Sequence, residues 1–577
     1  MLITPRILRI SNSLKAMCLP ITLLFFGIIS YGQNNNVPDQ YFDDPLKIPM
    51  ILSGSFGELR SNHFHSGLDI KTQQKEGIPI YAPADGVVTR IKVAHYGYGK
   101  ALYISHPNGY STVYAHLQRY AGPIQEYVKA SQYARESYEV ELFPESGKLV
   151  VNRGDIIGYT GNSGSSGGPH LHFEIRDSNS RPMNPLLFGI EIPDSKKPLV
   201  NTVFAYPIGD NAHVDQSQNP VKLRLIPLND GSYKTENISA LGKIGFGIST
   251  YDQQDGASNK NGVYKIRTVF NGTENYNVLF EKFSFAETRY LNRFIDYHYW
   301  RTNKSRVQKL FREENNPLSV ITHEVDNGYL QIEDGLDASY TIEVLDYKGN
   351  KTTITVPISG KDIPVVTPRD VNKTSDYIYA DEATSITKGK FSIYIPPNSL
   401  YEDTYLNIEA HGDTLVFQED NIPIHKNISI TVDASNYKSE DLDKLYLGRL
   451  SLKGEPYYNT TYRKGTKLTA RTRTFGTFAL VADTTPPTIS AVNFKDEQWI
   501  SANETLTVKI EDDLSGIGSY RATINGKFIL MEYNYKKDVL TYDFGDDIIS
   551  DTENNLKVNV VDNAGNSATF EATFFRK

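Results

Sequence analysis

Short β-like runs separated by glycine turns recur from Gly54 to about Phe188, and this pattern constrains the fold more than any other feature of the sequence. Pro107–Asn108–Gly109 indicates a hairpin turn between the last two of these runs. The 38 tyrosines and 26 phenylalanines of the chain also favour strands, because aromatic rings pack well on pleated surfaces. We therefore predict a mainly β fold, with strands at Ile78–Tyr81, Gly86–Val93, Ala101–Ser105 and Ser111–His116.

Residues 121–149 interrupt this β pattern. Their side chains recur at steps of one, three or four residues, which predicts one face of an amphipathic helix inserted between strands. The predicted face consists of Ile124, Tyr127, Val128, Ser131, Ala134 and Tyr138. Because the insertion comes just after His116, we expect it to border a cleft near this histidine and either to narrow access to the cleft or to respond to a partner.

The 577 residues are too many for one hydrophobic core, and the sequence beyond Ile192 repeats itself. Asp194 with Pro198 opens one copy, and Asp483 with Pro487 opens the other at the same spacing. Both copies are predicted to be immunoglobulin-like β-sandwiches, the first with an insertion at about 281–316. The predicted units are a signal peptide at 1–32, a first β module at 33–192 that contains the helical insertion, an immunoglobulin-like sandwich at 193–360, a further β domain of undetermined type at 361–483 and a C-terminal immunoglobulin-like sandwich at 484–577.

The N-terminal residues predict export to the periplasm or cell envelope. Three basic residues, Arg6, Arg9 and Lys15, precede an apolar run at 16–29. Small residues of the kind that a signal peptidase recognises follow this run and end at Gly32. The run is shorter than the roughly 20 apolar residues that cross a bilayer core, so we expect cleavage after Gly32 and no transmembrane anchor afterwards. Cleavage also removes Cys18, the one cysteine, which excludes disulfides and thiolate zinc sites.

Seven of the 12 histidines lie between residues 63 and 172, and this clustering suggests a metal site. In residues 169–176, polar and apolar side chains alternate at the period of a strand. His170, His172 and Glu174 therefore share one face, and the residues between them point into a core. The alternative is the exposed polar face of an edge strand.

His65 and Asp69 add an imidazole and a carboxylate four residues apart, with Gly67 between them to allow a turn. Two histidines and one aspartate would supply three ligands and leave the fourth zinc position open for water, as in catalytic zinc sites. Zinc fits these residues better than calcium, because imidazole suits Zn²⁺ whereas Ca²⁺ requires oxygen ligands.

The motifs around these residues are similar to those of the lysostaphin-type, or LytM, zinc endopeptidases, which cut peptidoglycan cross-links. The resemblance runs from about Arg60 to Pro185, roughly a quarter of the chain. In order along the sequence it consists of HSGLDI from His65, IYAPADGVV from Ile80, VYAHL from Val113, GDIIG from Gly154, the loop Gly161–Gly168, GPHLHFEIR from Gly168, and Asn184–Pro185.

The resemblance implies a LytM-like β-sheet peptidase module with one Zn²⁺, bound by His65, Asp69 and His172. It also implies that His170 and His116 are catalytic residues beside a metal-bound water whose pKa zinc lowers toward neutrality. In this interpretation His170 is the general base, and His116 orients the water or stabilises the oxyanion. We further expect Glu174 to form a salt bridge or to contact a ligand histidine, and Arg60 and Asn62 are candidates to support the site or reach substrate.

The function that follows is an exported zinc metalloendopeptidase that hydrolyses peptide cross-links of peptidoglycan. One alternative is a non-catalytic peptidoglycan-binding activator with the same fold, which the complete set of five site residues disfavours. Another is an adhesin whose C-terminal sandwiches contact other envelope proteins, since about two thirds of the chain lies outside the peptidase module. The net charge of −8 offers no electrostatic footprint for nucleic acid.

Overall fold

A computed structural model describes residues 40–370 and 373–577, so the predicted signal peptide at 1–32 lies outside the described residues. Strands make up 45% of the structure and helices 8%. The prediction of a mainly β fold is therefore confirmed. Within the described residues, no helix combines the length and the apolar character that a membrane crossing requires.

Twelve strands and one helix form the first module. They are β1 (Leu52–Gly54), β2 (Leu68–Lys71), β3 (Pro79–Tyr81), β4 (Gly86–Val93), β5 (Lys100–Ser105), β6 (Ser111–Ala115), β7 (Arg119–Tyr120), α1 (Gly122–Arg135), β8 (Val140–Leu142), β9 (Val150–Val151), β10 (Ile156–Tyr159), β11 (His170–Arg176) and β12 (Pro182–Met183). The main sheet has the order β1-β2-β11-β6-β5-β4-β8, with β12 beside β11 and β9 beside β4. A smaller sheet has the order β3-β10-β7.

Strands β3 to β6 lie on the four runs that the sequence predicts, to within one residue at each end. The hairpin between β5 and β6 pairs Ser105 with Ser111. Gly109 in its turn has a φ of +85°, a backbone conformation that glycine adopts without steric cost. The glycine turns thus fix the register of the strands that lead toward the histidines.

Strand β11 is central in the main sheet, and its register brings distant residues together. His172 lies directly opposite Asp69 of β2 on one side and Ala115 of β6 on the other. The residues between the polar ones, Leu171, Phe173 and Ile175, are fully buried as predicted, and His172 and Glu174 are buried as well. The alternative of an exposed edge strand is wrong, because β11 is paired on both sides.

Helix α1 lies inside the predicted insertion, but its buried face differs from the predicted one. Ile124, Val128 and Gln132 are buried, spaced four residues apart, whereas Ala134 is exposed. The helix ends at Glu136 in a left-handed conformation, so Tyr138 packs from the segment that follows rather than from the helix. Residues four apart lie on one face of an α-helix, and Ala134 of the predicted set does not lie on the face that Ile124, Val128 and Gln132 define.

The second unit consists of β13 (Leu199–Pro207), β14 (His213–Val214), β15 (Val221–Leu223), β16 (Leu225–Pro227), β17 (Tyr233–Thr235), β18 (Ile238–Tyr251), β19 (Lys265–Phe270), β20 (Thr273–Leu279), α2 (Leu291–Phe294), α3 (Tyr297–Asn303), β21 (Gln308–Lys309), β22 (Ile321–Glu324), β23 (Leu330–Ile332), β24 (Asp337–Leu345) and β25 (Lys351–Gly360). The main run of hydrogen-bonded strands in its sheet has the order β15-β13-β18-β25-β24-β19-β20-β22. The long strand β18 pairs with β13 along its C-terminal half and with β25 at its start. The predicted insertion at 281–316 carries α2 and α3.

The third unit consists of β26 (Asp376–Ile378), β27 (Thr384–Lys388), β28 (Phe391–Ile395), β29 (Thr404–Leu406), β30 (Ile408–His411), β31 (Thr414–Phe417), β32 (Ile428–Asp433), β33 (Leu445–Leu450), β34 (Pro456–Tyr457), β35 (Thr461–Lys464), β36 (Lys467–Thr472) and β37 (Gly476–Ala482). Two five-stranded sheets, β27-β28-β32-β36-β35 and β30-β31-β37-β33-β34, enclose one apolar core. This unit is a β-sandwich.

The last unit consists of β38 (Thr488–Ala491), β39 (Gln498–Trp499), β40 (Thr505–Glu511), β41 (Ile517–Ile524), β42 (Lys527–Ile529), β43 (Met531–Asn534), β44 (Val539–Asp543), β45 (Glu553–Asp562) and β46 (Ser567–Phe575). Sheets β38-β40-β44-β43 and β39-β46-β45-β41-β42 pack around a second apolar core. This is again a two-sheet sandwich. That it and the second unit are immunoglobulin-like stays a prediction.

Candidate active site

Three side-chain donor atoms from separate parts of the first module converge on one point. The Nε2 atom of His65 lies 3.0 Å from Oδ1 of Asp69 and 3.1 Å from Nδ1 of His172. The same Nδ1 atom of His172 lies 2.9 Å from Oδ1 of Asp69. Among the described residues, this group of mutually close donors contains no fourth histidine, cysteine or carboxylate.

Register explains how these residues meet. Asp69 and His172 are directly opposite each other on neighbouring strands, where Cβ atoms lie about 4.5–5.5 Å apart. His65 comes from the segment before β2, which is held by backbone hydrogen bonds between His65 and both Gly57 and Glu58. The site is therefore built mainly on rigid sheet, which keeps its donor atoms in place.

The hydrogen bonds of the two imidazoles fix which nitrogen faces inward. Nδ1 of His65 donates to the carbonyl oxygen of Ser55 at 2.7 Å, which leaves a lone pair on Nε2. Nε2 of His172 donates to Oε1 of Glu174 at 2.8 Å, which turns Nδ1 toward Asp69. Burial would lower the pKa of His172, but the hydrogen bonds to Asp69 and Glu174 outweigh burial and raise that pKa to about 9. Both inner nitrogens thus point at Oδ1 of Asp69, and a cation that binds there must displace the proton of His172 Nδ1.

Glu174 is the buried anchor behind His172. Besides His172, its carboxylate accepts hydrogen bonds from the hydroxyls of Ser66 and Tyr98 and from the guanidinium of Arg176. Burial alone would raise the pKa of Glu174, but Arg176 and His172 outweigh burial and hold that pKa below its ordinary value. Glu174 is therefore a carboxylate, and it orients His172 through an outer hydrogen bond.

His170 and His116 stand beside the three donors. Nε2 of His170 lies 3.4 Å from Oδ1 of Asp69, and the rings of His170 and His116 are 4.8 Å apart. Nδ1 of His170 donates to the carbonyl oxygen of Gly168 at 2.9 Å. Nδ1 of His116 donates to the carbonyl oxygen of Ser163 at 2.9 Å. Each ring therefore has Nε2 available as a hydrogen-bond acceptor.

Burial sets the charge of His116 and His65. The pKa of His116 is lowered to about 3 by burial and by the neighbouring His172 and His170. Burial likewise lowers the pKa of His65. Both imidazoles are neutral at neutral pH, which a metal ligand and a proton acceptor both require.

The glycine-rich loop 161–168 passes next to these rings. A Cβ atom on Gly164 would lie 2.3 Å from the backbone nitrogen of Gly99 and would clash with it. Gly164 also has a φ of +69°. Glycine at this position therefore permits a close backbone approach.

Other predicted candidates lie at different distances from the centre. Arg60 donates to Oδ2 of Asp69 at 2.9 Å, whereas Oδ1 of Asp69 faces the imidazoles of His65 and His172. Asn62 instead bonds Asn292 of the second unit at 2.9 Å, and the exposed His63 bonds only the carbonyl oxygen of Ser61. Tyr98 was not among the predicted site residues. It donates a hydrogen bond to Glu174, and this contact between distant parts of the chain has no signature in the sequence.

The family model of peptidase family M23 matches residues 63–134 and 145–185. This chain carries a peptidase family M23 domain. The matched range contains all five of the predicted site residues, and it omits residues 135–144 inside the helical insertion. A second family model, that of a Zu5-like domain, matches residues 375–483, which correspond to the third unit.

The M23 domain is also the part that relatives share. The chain is 34% identical over 136 residues to the DD-carboxypeptidase/endopeptidase Mpg of Neisseria meningitidis, which is 24% of this chain and 25% of Mpg. It is 32% identical over 131 residues to the peptidoglycan DD-endopeptidase ShyA of Vibrio cholerae, which is 23% of this chain and 24% of ShyA. The chain thus spans about a quarter of the length of these relatives.

Among solved structures, a zinc-containing peptidase from Vibrio cholerae aligns with 27% of this chain and 41% of that one. The two are 26% identical, with a TM-score of 0.20. The catalytic domain of lysostaphin from Staphylococcus simulans aligns with 23% of this chain at 22% identity and a TM-score of 0.17, and 86% of that domain is covered.

Proposed function

We propose that the M23 domain is a zinc-dependent endopeptidase that hydrolyses peptide cross-links of bacterial peptidoglycan, and that the protein is exported to the periplasm or cell envelope. The observation that carries this proposal is the convergence of His65, Asp69 and His172, with His170 and His116 beside them. Relatives that share the M23 domain are named as endopeptidases, and ShyA as one that acts on peptidoglycan.

The donor set fits Zn²⁺. Two neutral imidazole nitrogens and one carboxylate oxygen are the ligand types that zinc prefers, and three protein ligands leave a coordination position for water or substrate. Bound zinc would supply a Lewis acid that polarises the scissile carbonyl and acidifies a coordinated water. His65, Asp69 and His172 would hold the ion, with Ser55 and Glu174 fixing the two imidazoles from behind.

His170 is the proton carrier in this proposal. Its Nε2 atom faces the centre and its Nδ1–H is held by Gly168, so the free lone pair is directed at the space where a reacting water would lie. His170 takes the proton of the attacking water and returns it to the leaving amine. His116, also with a free Nε2 lone pair, accepts a hydrogen bond from the water and orients it. A neutral His116 favours this role over donation to an oxyanion.

The experiment is digestion of purified sacculi by the zinc-loaded chain and by His172→Ala, with new termini identified by mass spectrometry. His63→Ala is the matched control, because His63 lies in the ligand segment but faces solvent. We expect new peptide termini from the wild type and His63→Ala and none from His172→Ala. Zinc content, measured by elemental analysis, should fall in His172→Ala alone.

Equal products from wild type and His172→Ala would contradict the zinc mechanism. Zinc bound at one equivalent with no product from any form would instead favour the activator or adhesin. These outcomes separate the metal site from the hydrolytic activity.

A further inference from the structure

A second cluster of acidic side chains lies in the second unit, outside the residues that the M23 family model matches. Asp194, Asp252 and Asp346 each direct a carboxylate oxygen to one point, with the three oxygens within 4.8 Å of one another. Asp252 follows β18 directly and Asp346 follows β24 directly. Both are buried, at 6% and 4% exposure. Like charges this close and this buried repel one another strongly.

Among the described residues, Asp194 and Asp346 accept hydrogen bonds from uncharged groups of their own turns, the backbone of Lys196 and the backbone and amide of Asn350, rather than from a basic side chain. Lys196, which is near in sequence, directs its ammonium to the backbone carbonyl oxygen of Gln254 at 3.1 Å. Burial, followed by the charges of Asp194 and Asp346, raises the pKa of Asp252 to about 7. The negative charge of the cluster is thus left without a compensating cation from the protein.

An independent group next to the cluster also lacks a partner. Asn261 is 5% exposed, and its Oδ1 atom accepts no hydrogen bond. Asn261 and Asp252 exchange both backbone hydrogen bonds at 2.9 Å, so their side chains lie on the same face of this two-residue ladder. Oδ1 of Asp252 is likewise unpartnered. Buried oxygens without donors are rare and require an explanation.

The cluster and Asn261 line one cavity of about 50 Å³. A single water needs about 10–15 Å³ by a comparable measure, so an ion with part of its hydration shell fits. The available atoms are all oxygens: three carboxylates and one amide carbonyl. An all-oxygen set with several negative charges suits a hard divalent cation, and its irregular loop geometry suits Ca²⁺ better than Mg²⁺, which demands a regular octahedron.

We propose that Asp194, Asp252, Asp346 and Asn261 form a Ca²⁺ site. The last unit offers a comparison, because Asp483, Asp512 and Asp562 gather in a similar way. There Asp512, which follows β40 as Asp252 follows β18, accepts a backbone hydrogen bond from Gly516 at 2.6 Å. Asp252 has no such donor on Oδ1. Asp346 accepts hydrogen bonds from Asn350 as Asp562 does from Asn566, so the unpartnered oxygens of Asp252 and Asn261 are what distinguish the first cluster.

This Ca²⁺ site would brace the zinc-ligand segment. The loop between Asp252 and Asn261 carries Gln254, whose side-chain amide donates to the carbonyl oxygen of Met50 and accepts from the backbone of Leu52, both at 2.8 Å. Gly262, next to Asn261, donates to the hydroxyl of Ser55 at 2.9 Å. The carbonyl oxygen of Ser55 in turn holds His65. A cation that fixes both ends of the loop thereby supports the M23 domain.

The test is calorimetric titration of the zinc-loaded full chain with CaCl₂, together with thermal unfolding at increasing CaCl₂. Asp252→Asn removes one carboxylate charge with little change of shape. Asp255→Asn is the matched control, because Asp255 carries the same charge in the same loop but bonds Ser195 instead of joining the cluster. We expect Asp252→Asn to bind one equivalent of Ca²⁺ fewer than wild type and Asp255→Asn to bind as many.

The thermal unfolding measurement shows whether each variant is folded. Asp252→Asn is expected to fold without calcium, because it relieves the repulsion between the carboxylates. Ca²⁺ should raise the unfolding temperature of wild type and Asp255→Asn more than that of Asp252→Asn, and MgCl₂ at the same concentration should raise it less. Equal calcium stoichiometry in all three forms would overturn the proposal and assign the cluster to carboxyls that share a proton. Neither result depends on peptidase activity.

Discussion

The hydroxyl of Tyr535 in the last sandwich donates a hydrogen bond of 3.2 Å to the carbonyl oxygen of Gly164 in the glycine-rich loop. Next to it, the ammonium of Lys536 donates to the carbonyl oxygen of Asn162 at 2.6 Å. The residue between these two loop positions, Ser163, holds His116. The C-terminal sandwich therefore fastens the loop that positions a proposed catalytic histidine.

We predict that the double variant Tyr535→Phe and Lys536→Ala loosens this loop without unfolding the protein. Each hydrogen bond contributes only about 0.5–1.5 kcal/mol, so global stability should change little. Amide hydrogen exchange of residues 161–168 should become faster. Lys537→Ala, which removes an exposed neighbouring charge, should leave the exchange rates as in wild type. Unchanged exchange in the double variant would show that the sandwich does not restrain the loop.

Glu174→Gln should weaken zinc binding. Glutamine keeps the volume but loses the charge that receives hydrogen bonds from His172, Tyr98 and Arg176. Loss of such an outer partner typically costs about 10–100-fold in metal affinity. Competition with a chromogenic chelator measures this loss, and Glu141→Gln, at an exposed position of β8, is the control. Wild-type affinity in Glu174→Gln would mean that His172 does not need this anchor.

Phe64→Ala should destabilise the protein by about 3–5 kcal/mol, the usual cost of removing a buried phenylalanine side chain. Phe64 is almost fully buried, and its ring lies 5.4 Å from that of Phe283 and 6.1 Å from that of Phe294 in the second unit. Denaturant unfolding measures the change. Phe64→Leu keeps much of the side-chain volume, so its free energy of unfolding should fall considerably less than that of Phe64→Ala. A loss below about 1 kcal/mol in Phe64→Ala would contradict the packing argument.

The lowered pKa of His116 predicts acid sensitivity. The unfolded chain binds a proton at this histidine below about pH 6.5, whereas the folded protein resists protonation down to about pH 3. Stability is therefore lost as pH falls through this window, by at most about 5 kcal/mol. His116→Asn removes the titration, and asparagine tolerates the positive φ of 61° at this position. The unfolding free energy of metal-free His116→Asn should fall less between pH 7 and pH 4 than that of metal-free wild type; parallel curves would refute the prediction.

Alternation and turn residues, which are local signals, predicted strands β3 to β6, and the ordered motifs predicted the likeness to lysostaphin-type peptidases. The alternation in 170–176, for example, predicts a strand, but its pairing on both sides and its register against β2 are seen only in the structure. The contacts of Phe64, Tyr98 and Tyr535 could not be predicted in this way. They join residues between 76 and 371 positions apart, and no periodicity in a chain encodes which surfaces meet.

The aromatic contacts of Phe64 have a practical meaning for anyone who trims this protein. In the first module, Phe56 stacks on Phe283 of the second unit, and Phe64 packs against Phe280 and Phe283. An isolated fragment that stops at residue 192 would expose Phe56 and Phe64 to water. It would also lose the hydrogen bond from Gly262 to Ser55, the residue whose carbonyl oxygen holds His65. The smallest piece that behaves like the parent is thus expected to extend well past the boundary drawn by family likeness.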